Sequence, residues 1–126
     1  MFFRRSGASL CRRGNALYER RQFLAAFRCW RDAETRGDAE ASFRVAMLYE
    51  RGEGVMRSLP DALEWHKKAA LRGHAEAQYR LGFLYLSGFA AAPSGAESWL
   101  RAAGDFSRGN LRNSVSALFP NGVAVE

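Results

Sequence analysis

Few side chains in this sequence are of types that do chemistry, and their spacing argues against a catalytic centre. His66 and His74 are the only histidines. They fall on different predicted helices, and no cysteine or carboxylate joins them at the spacing of a zinc site, so no metal ligand set is expected. Cys11 and Cys29 are the only cysteines. A bridge between them is conceivable within one helical hairpin, but without a secretory signal both are read as thiols, buried or half-buried. Glu50, Glu53 and Asp61 fall at helix ends and in a loop, where carboxylates usually serve solvation and capping. No glycine-rich phosphate loop and no nucleophile elbow is present. The expectation is a protein with no catalytic residues, no metal and no cofactor.

The remaining chemistry is charge. Lys and Arg total 19 against 13 Asp and Glu, a net charge of +6; Lys67 and Lys68 are the lysines, so 19 − 2 = 17 are arginine. Arg4, Arg5, Arg12, Arg13, Arg20 and Arg21 concentrate the excess near the start of the chain. A basic surface could meet an acidic partner, anionic lipid or nucleic acid. The other reading is that arginines coat outer helix faces and keep a monomer soluble. Arg13, Arg20 and Arg21 are not interleaved with exposed aromatics, which favours the second reading over nucleic acid.

What positions these residues is a repeat. Ala39 to Val55 (AEASFRVAMLYERGEGV) is echoed by Ala75 to Ala91 (AEAQYRLGFLYLSGFAA). Ala39 and Ala75, Ala46 and Gly82, Tyr49 and Tyr85, and Gly52 and Gly88 are each 36 residues apart. Ala33 and Ala69, and Gly37 and Gly73, repeat the same step. A fixed period of this size means stacked supersecondary units. Each unit reads as a helix A, a loop, a helix B and a short turn. Small residues (Gly14, Ala46 and Gly82 on A; Ala26, Ala62 and Ala96 on B) mark where the two helices approach, with Trp30, Trp65 and Trp99 as the bulk beside them. Pro60 suits a first turn, Ser94 with Glu97 has capping-box spacing, and Gly37 and Gly73 suit left-handed C-caps. Asp38 is a good N-cap for the next helix A; His74 stands in the same place with poorer capping chemistry.

Ala-Glu-Ala-x-[Phe/Tyr]-Arg-x-[Ala/Gly]-x-Leu-Tyr-x-x-Gly, with Gly52-Glu53-Gly54-Val55 and then Ala62 to Ala70 and Gly73, resembles the Sel-1-like repeat, a relative of the tetratricopeptide repeat. Gly14 to Tyr18 with Phe23, Ala26, Trp30 and Ala33 resembles the tetratricopeptide repeat itself. The third unit lacks the second loop glycine and the valine. The resemblance implies an all-α fold, a right-handed α/α superhelix of about three hairpins. The expected division is a tetratricopeptide-like hairpin over residues 1–37, a Sel-1-like repeat over 38–73, a shortened one over 74–104, and, within 105–126, a stretch near 112–119 that could form a capping helix, followed by a loose tail. Some secreted members of the family carry a disulfide in each repeat; here the second and third units have no cysteine.

In that superfamily the A helices line a concave face where a peptide or partner helix lies. By position this implies Asn15, Tyr18 and Glu19 in the first unit. In the second it implies Phe43, Met47, Glu50 and Arg51, and in the third Tyr79, Phe83 and Leu86. Phe43 and Tyr79 have a second reading, as packing between hairpins. Asn15 matches a backbone-holding groove asparagine, but Cys11 stands where a basic companion would, so a carboxylate clamp is not expected. The expected function is a protein-interaction adaptor binding another protein or peptide through apolar contacts. The alternatives are a basic array for nucleic acid or an acidic partner, and an enzyme-like relative. No apolar run reaches the roughly 18 residues of a membrane span, and a bacterial-type cytoplasmic protein is expected.

Overall fold

The computed structural model describes residues 5–86 as five α-helices, with no strand among them. They run α1 Gly7–Glu19, α2 Phe23–Glu34, α3 Ala39–Arg51, α4 Leu59–Leu71 and α5 Ala75–Leu86. Among these, no helix is long and apolar enough to cross a membrane. α1 and α2 form the first hairpin, α3 and α4 the second, and α5 is helix A of the third. Helix B of the third unit, its loop, the expected capping helix and the tail lie outside the described residues.

The 36-residue period reappears in backbone hydrogen bonds. Gly37 and Gly73 take φ of +84° and +86°, a region that glycine enters without a Cβ penalty. After each, the chain turns back in the same way: Asp38 N–H donates to the Ala33 carbonyl at 3.2 Å, and His74 N–H to the Ala69 carbonyl at 3.1 Å. Helix starts are capped as their residue types dictate. Ser6 Oγ accepts from Ser9 N–H at 3.0 Å, Asp38 from Ala41 N–H at 2.9 Å, and Ser58 from Asp61 N–H at 3.3 Å, with Pro60 in the first turn of α4.

α3 is apolar on two sides because it is packed on two sides. Ala41, Val45 and Leu48 join Leu10, Ala26 and Trp30 in one core cluster. Phe43 joins Leu63, Ala69, Ala77 and Leu81 in a second, with Met47 at its edge. Leu48 and Leu81 are 1% and 0% exposed, and burying a side chain of this size stabilises by about 1.5–3 kcal/mol. The small residues lie where helices meet: Ala26, Ala46 and Ala62 are all fully buried. A Cβ built on Gly14 would stand 2.4 Å from Trp30 Nε1, so α1 reaches α2 here only without a side chain.

One sequence equivalence is corrected. Trp30 is 1% exposed, and the residue 36 positions on, His66, is 0% exposed. Trp65 is only half-buried, at the edge of the first cluster, with the Lys68 ammonium 4.2 Å from its ring centroid. One residue of offset turns a side chain by about 100° on a helix of 3.6 residues per turn. The tryptophan match therefore paired unlike faces, and histidine takes the buried place. Trp99 lies outside the described residues.

The α3–α4 loop folds back on the first hairpin. Gly54 has φ of +74°, and a Cβ there would lie 2.7 Å from the Phe23 carbonyl carbon and 2.8 Å from Leu24 N. Only glycine permits both that conformation and that approach. The contact brings the next residue back, Glu53, within reach of α1.

Candidate interaction groove

α1, α3 and α5 enclose a depression of about 160 Å³. Its apolar lining is Tyr18 from α1, Trp30 from α2, and Phe43, Met47 and Leu48 from α3. Its polar lining is Glu40, Arg44 and Arg51 from α3, Glu53 from the loop, and Glu76 and Arg80 from α5. Side chains on α3 reach one face because positions 40, 43, 44, 47 and 51 recur at helical spacing.

The charges are paired within the chain. Arg44 Nε meets Glu40 at 2.8 Å, one turn away. Arg80 lies 3.6 Å from Glu50 and 3.7 Å from Glu76. Arg51 donates to Tyr18 Oη at 3.3 Å and stands 4.0 Å from Glu53. Tyr18 in turn donates to Glu53 Oε1 at 2.9 Å.

Both histidines support the same wall. His66 Nε2 lies 3.1 Å from Glu50 Oε2, and its buried Nδ1 meets no partner among the described residues. His74 Nε2 bonds Glu40, and its Nδ1 accepts from Ala77 N–H at 3.0 Å. The Phe43 ring stacks on His74 at 4.6 Å and tilts against His66 at 5.7 Å. The His74 hydrogen bond holds the Glu40 carboxyl below its usual value, assisted by the Arg44 charge against the opposing effect of burial. Burial pushes Glu50 up, but the bond to His66 and the charges of His66, Arg80 and Arg51 leave it below its usual value. Burial also pushes the Cys11 thiol up to about 12, which keeps it protonated and unreactive at neutral pH. Cys29 is half-buried, and the two are not bridged.

Of the ten residues expected on the concave face, the groove brings together Tyr18, Phe43, Met47 and Arg51. Phe43 serves both readings: it is 5% exposed in the interface between hairpins and still lines the floor. Asn15 Oδ1 is engaged by Trp30 Nε1 at 3.1 Å. Glu19 is exposed at the end of α1, and Glu50 is half-buried beneath the wall. Tyr79 is half-buried and Phe83 37% exposed on α5, beyond the lining. Leu86 ends α5. Sequence reasoning missed Glu40, Arg44, Glu76 and Arg80. Their signal was present in two Glu–Arg pairs four residues apart, on the same face one repeat from each other. Glu53 gave no such signal, since its place depends on the loop's return.

The arrangement defines a class: an all-α helical-repeat solenoid with a groove between its A helices. Within that class, residues 39–74 and 75–105 each match the sequence model of the Sel1 repeat, and the chain belongs to the Sel1 repeat family. Arrays of this family are generally protein-interaction scaffolds and typically non-catalytic. The structure is similar to that of a Sel1 repeat protein from Oxalobacter formigenes, with 27% identity and a TM-score of 0.71 over 84% of this chain and 45% of that one. It is also similar to c5321, a protective antigen of uropathogenic Escherichia coli strains displaying an SLR fold. There the TM-score is 0.73 at 24% identity, over 93% of this chain and 26% of that one. That second likeness speaks to the fold alone. The chain spans less than half the length of either neighbour. No curated protein matches it.

Proposed function

We propose that this chain is a non-catalytic adaptor whose α1–α3–α5 groove takes an apolar, largely uncharged segment of another protein, helical or extended. One observation carries the reading. The floor is aromatic, Met and Leu, while each arginine of the rim has a carboxylate of the same chain within 4.0 Å. Trp30, Phe43 and Leu48 are at most 5% exposed, so the apolar surface a partner can cover is that of Tyr18 and Met47, with Met47 as the adaptable contact. Asn15, Glu19, Glu50, Tyr79, Phe83 and Leu86 would extend or support this surface.

The internal pairing also weighs against the nucleic-acid alternative. A phosphate-binding face needs cations free to replace counterions, and its affinity falls steeply with salt. Here the three groove arginines would first have to leave their glutamates. The test is to isolate a partner by pull-down and titrate it across a range of salt. Affinity that changes by less than about threefold between 50 and 200 mM salt fits an apolar groove. A loss of about a thousandfold is the signature of a phosphate-binding face and contradicts it.

A further inference from the structure

The junction before α5 differs chemically from its counterpart before α3. At position 38 an aspartate caps the helix; at the equivalent position 74 a histidine does so. Because His74 Nδ1 accepts from Ala77 N–H, its proton sits on Nε2, which donates to Glu40. One ring thus caps α5 with one nitrogen and ties it to α3 with the other.

Adding a proton affects the two bonds differently. The Nε2–H bond to Glu40 survives and gains charge. Nδ1 becomes a donor facing the Ala77 donor, so the cap is lost, and a positive charge sits at the positive end of the α5 dipole. The surrounding charged groups can be named. α3 presents Glu40, held by Arg44. α5 carries Glu76 and Arg80, which are paired with each other. α4 supplies His66, the other ring neighbour of Phe43, and Arg72, which is engaged with Glu34 at 3.1 Å. Cys11 of α1 also senses Glu40 and stays neutral. Of these groups Glu40 is the one bonded to the ring, and its carboxylate holds the Nε2 edge in place in either charge state.

We propose that His74 is a proton-operated cap: neutral, it closes the first turn of α5; protonated, it stays on Glu40 and releases that turn. Glu76 and Arg80 follow the turn, so the α5 wall of the groove loosens at acid pH. The bearing on partner binding rests on the groove reading above; the release itself does not.

The experiment uses the full chain without a partner. The His74 ring and the amides of Ala75 to Tyr79 are followed by NMR from about pH 8 to about pH 5, the window in which imidazole changes charge. The expected result is one shared midpoint for the ring and the Ala77 amide. Hydrogen exchange of this turn, corrected for its intrinsic pH trend, should rise about fivefold, the size of a lost N-cap. His74→Asn, a cap that does not titrate, should abolish the response. An Ala77 amide indifferent to titration of the ring, or an unchanged response in His74→Asn, overturns the proposal and leaves the groove reading untouched.

Discussion

Tyr18 of α1 donates its phenol hydrogen to Glu53 in the loop of the next hairpin, 2.9 Å away and 35 residues on. The bond closes one end of the groove, and the ring beneath it packs on Phe23 and Trp30 at 5.1 and 5.7 Å. Tyr18→Phe keeps the ring and removes the bond. Chemical denaturation should show a loss of about 0.5–1.5 kcal/mol, the net worth of one hydrogen bond. Tyr18→Ala should cost clearly more, because the aromatic contacts go as well.

Gly14→Ala tests the contact between α1 and α2. The added methyl would meet the Trp30 indole at 2.4 Å, and that ring is pinned by hydrogen bonds from Nε1 to the Cys11 carbonyl and to Asn15, each 3.1 Å. Overpacking of this kind costs about 1–3 kcal/mol. The alanine's better helix propensity returns at most about 1 kcal/mol. A net loss of stability is expected in thermal unfolding.

Trp30 and Trp65 should separate sharply. Trp30→Ala removes a fully buried indole and should cost about 3–5 kcal/mol. Trp65→Ala removes a half-buried one and should cost less than half as much. Equal losses would show that the second hairpin packs through Trp65 after all.

That contrast marks what the sequence made legible. The junctions Gly37-Asp38 and Gly73-His74 could be read directly, because a left-handed cap and an N-cap each depend on one local residue type. The two-sided packing of α3 was visible in its apolar residues. The tryptophan register was not, since a match of residue types overrode the 36-residue step by one position. In the groove, Tyr18, Phe43, Met47 and Arg51 followed from helix position, whereas Glu53 required knowing that Gly54 lets the loop lie on α2. Such long-range returns leave no periodic trace.

Stability should fall with acid in a definite window. Glu40 and Glu50 both lie below the usual carboxyl value of 4.5 in the folded protein. The folded state therefore binds fewer protons than the unfolded one as pH passes through that region. Their contribution is present above 4.5 and is lost as pH falls below it toward their folded values. Glu50→Gln should flatten the slope of unfolding free energy against pH between about 5 and 3. An unchanged slope would show that the bonds to His66 and Arg80 do not bias its ionisation.

The most direct test of the groove is a titration of a purified partner against three proteins: the wild type, Met47→Gln with Arg51→Ala in the groove, and Lys67→Glu with Lys68→Glu on α4. Circular dichroism first establishes that all three are equally helical. The groove pair should weaken binding by about tenfold or more, as loss of a buried anchor does. The α4 pair should change it by less than about threefold, since exposed charges contribute little. If the α4 reversals abolish binding while the groove pair binds as the wild type does, the working surface is the outer basic face and the groove account is wrong.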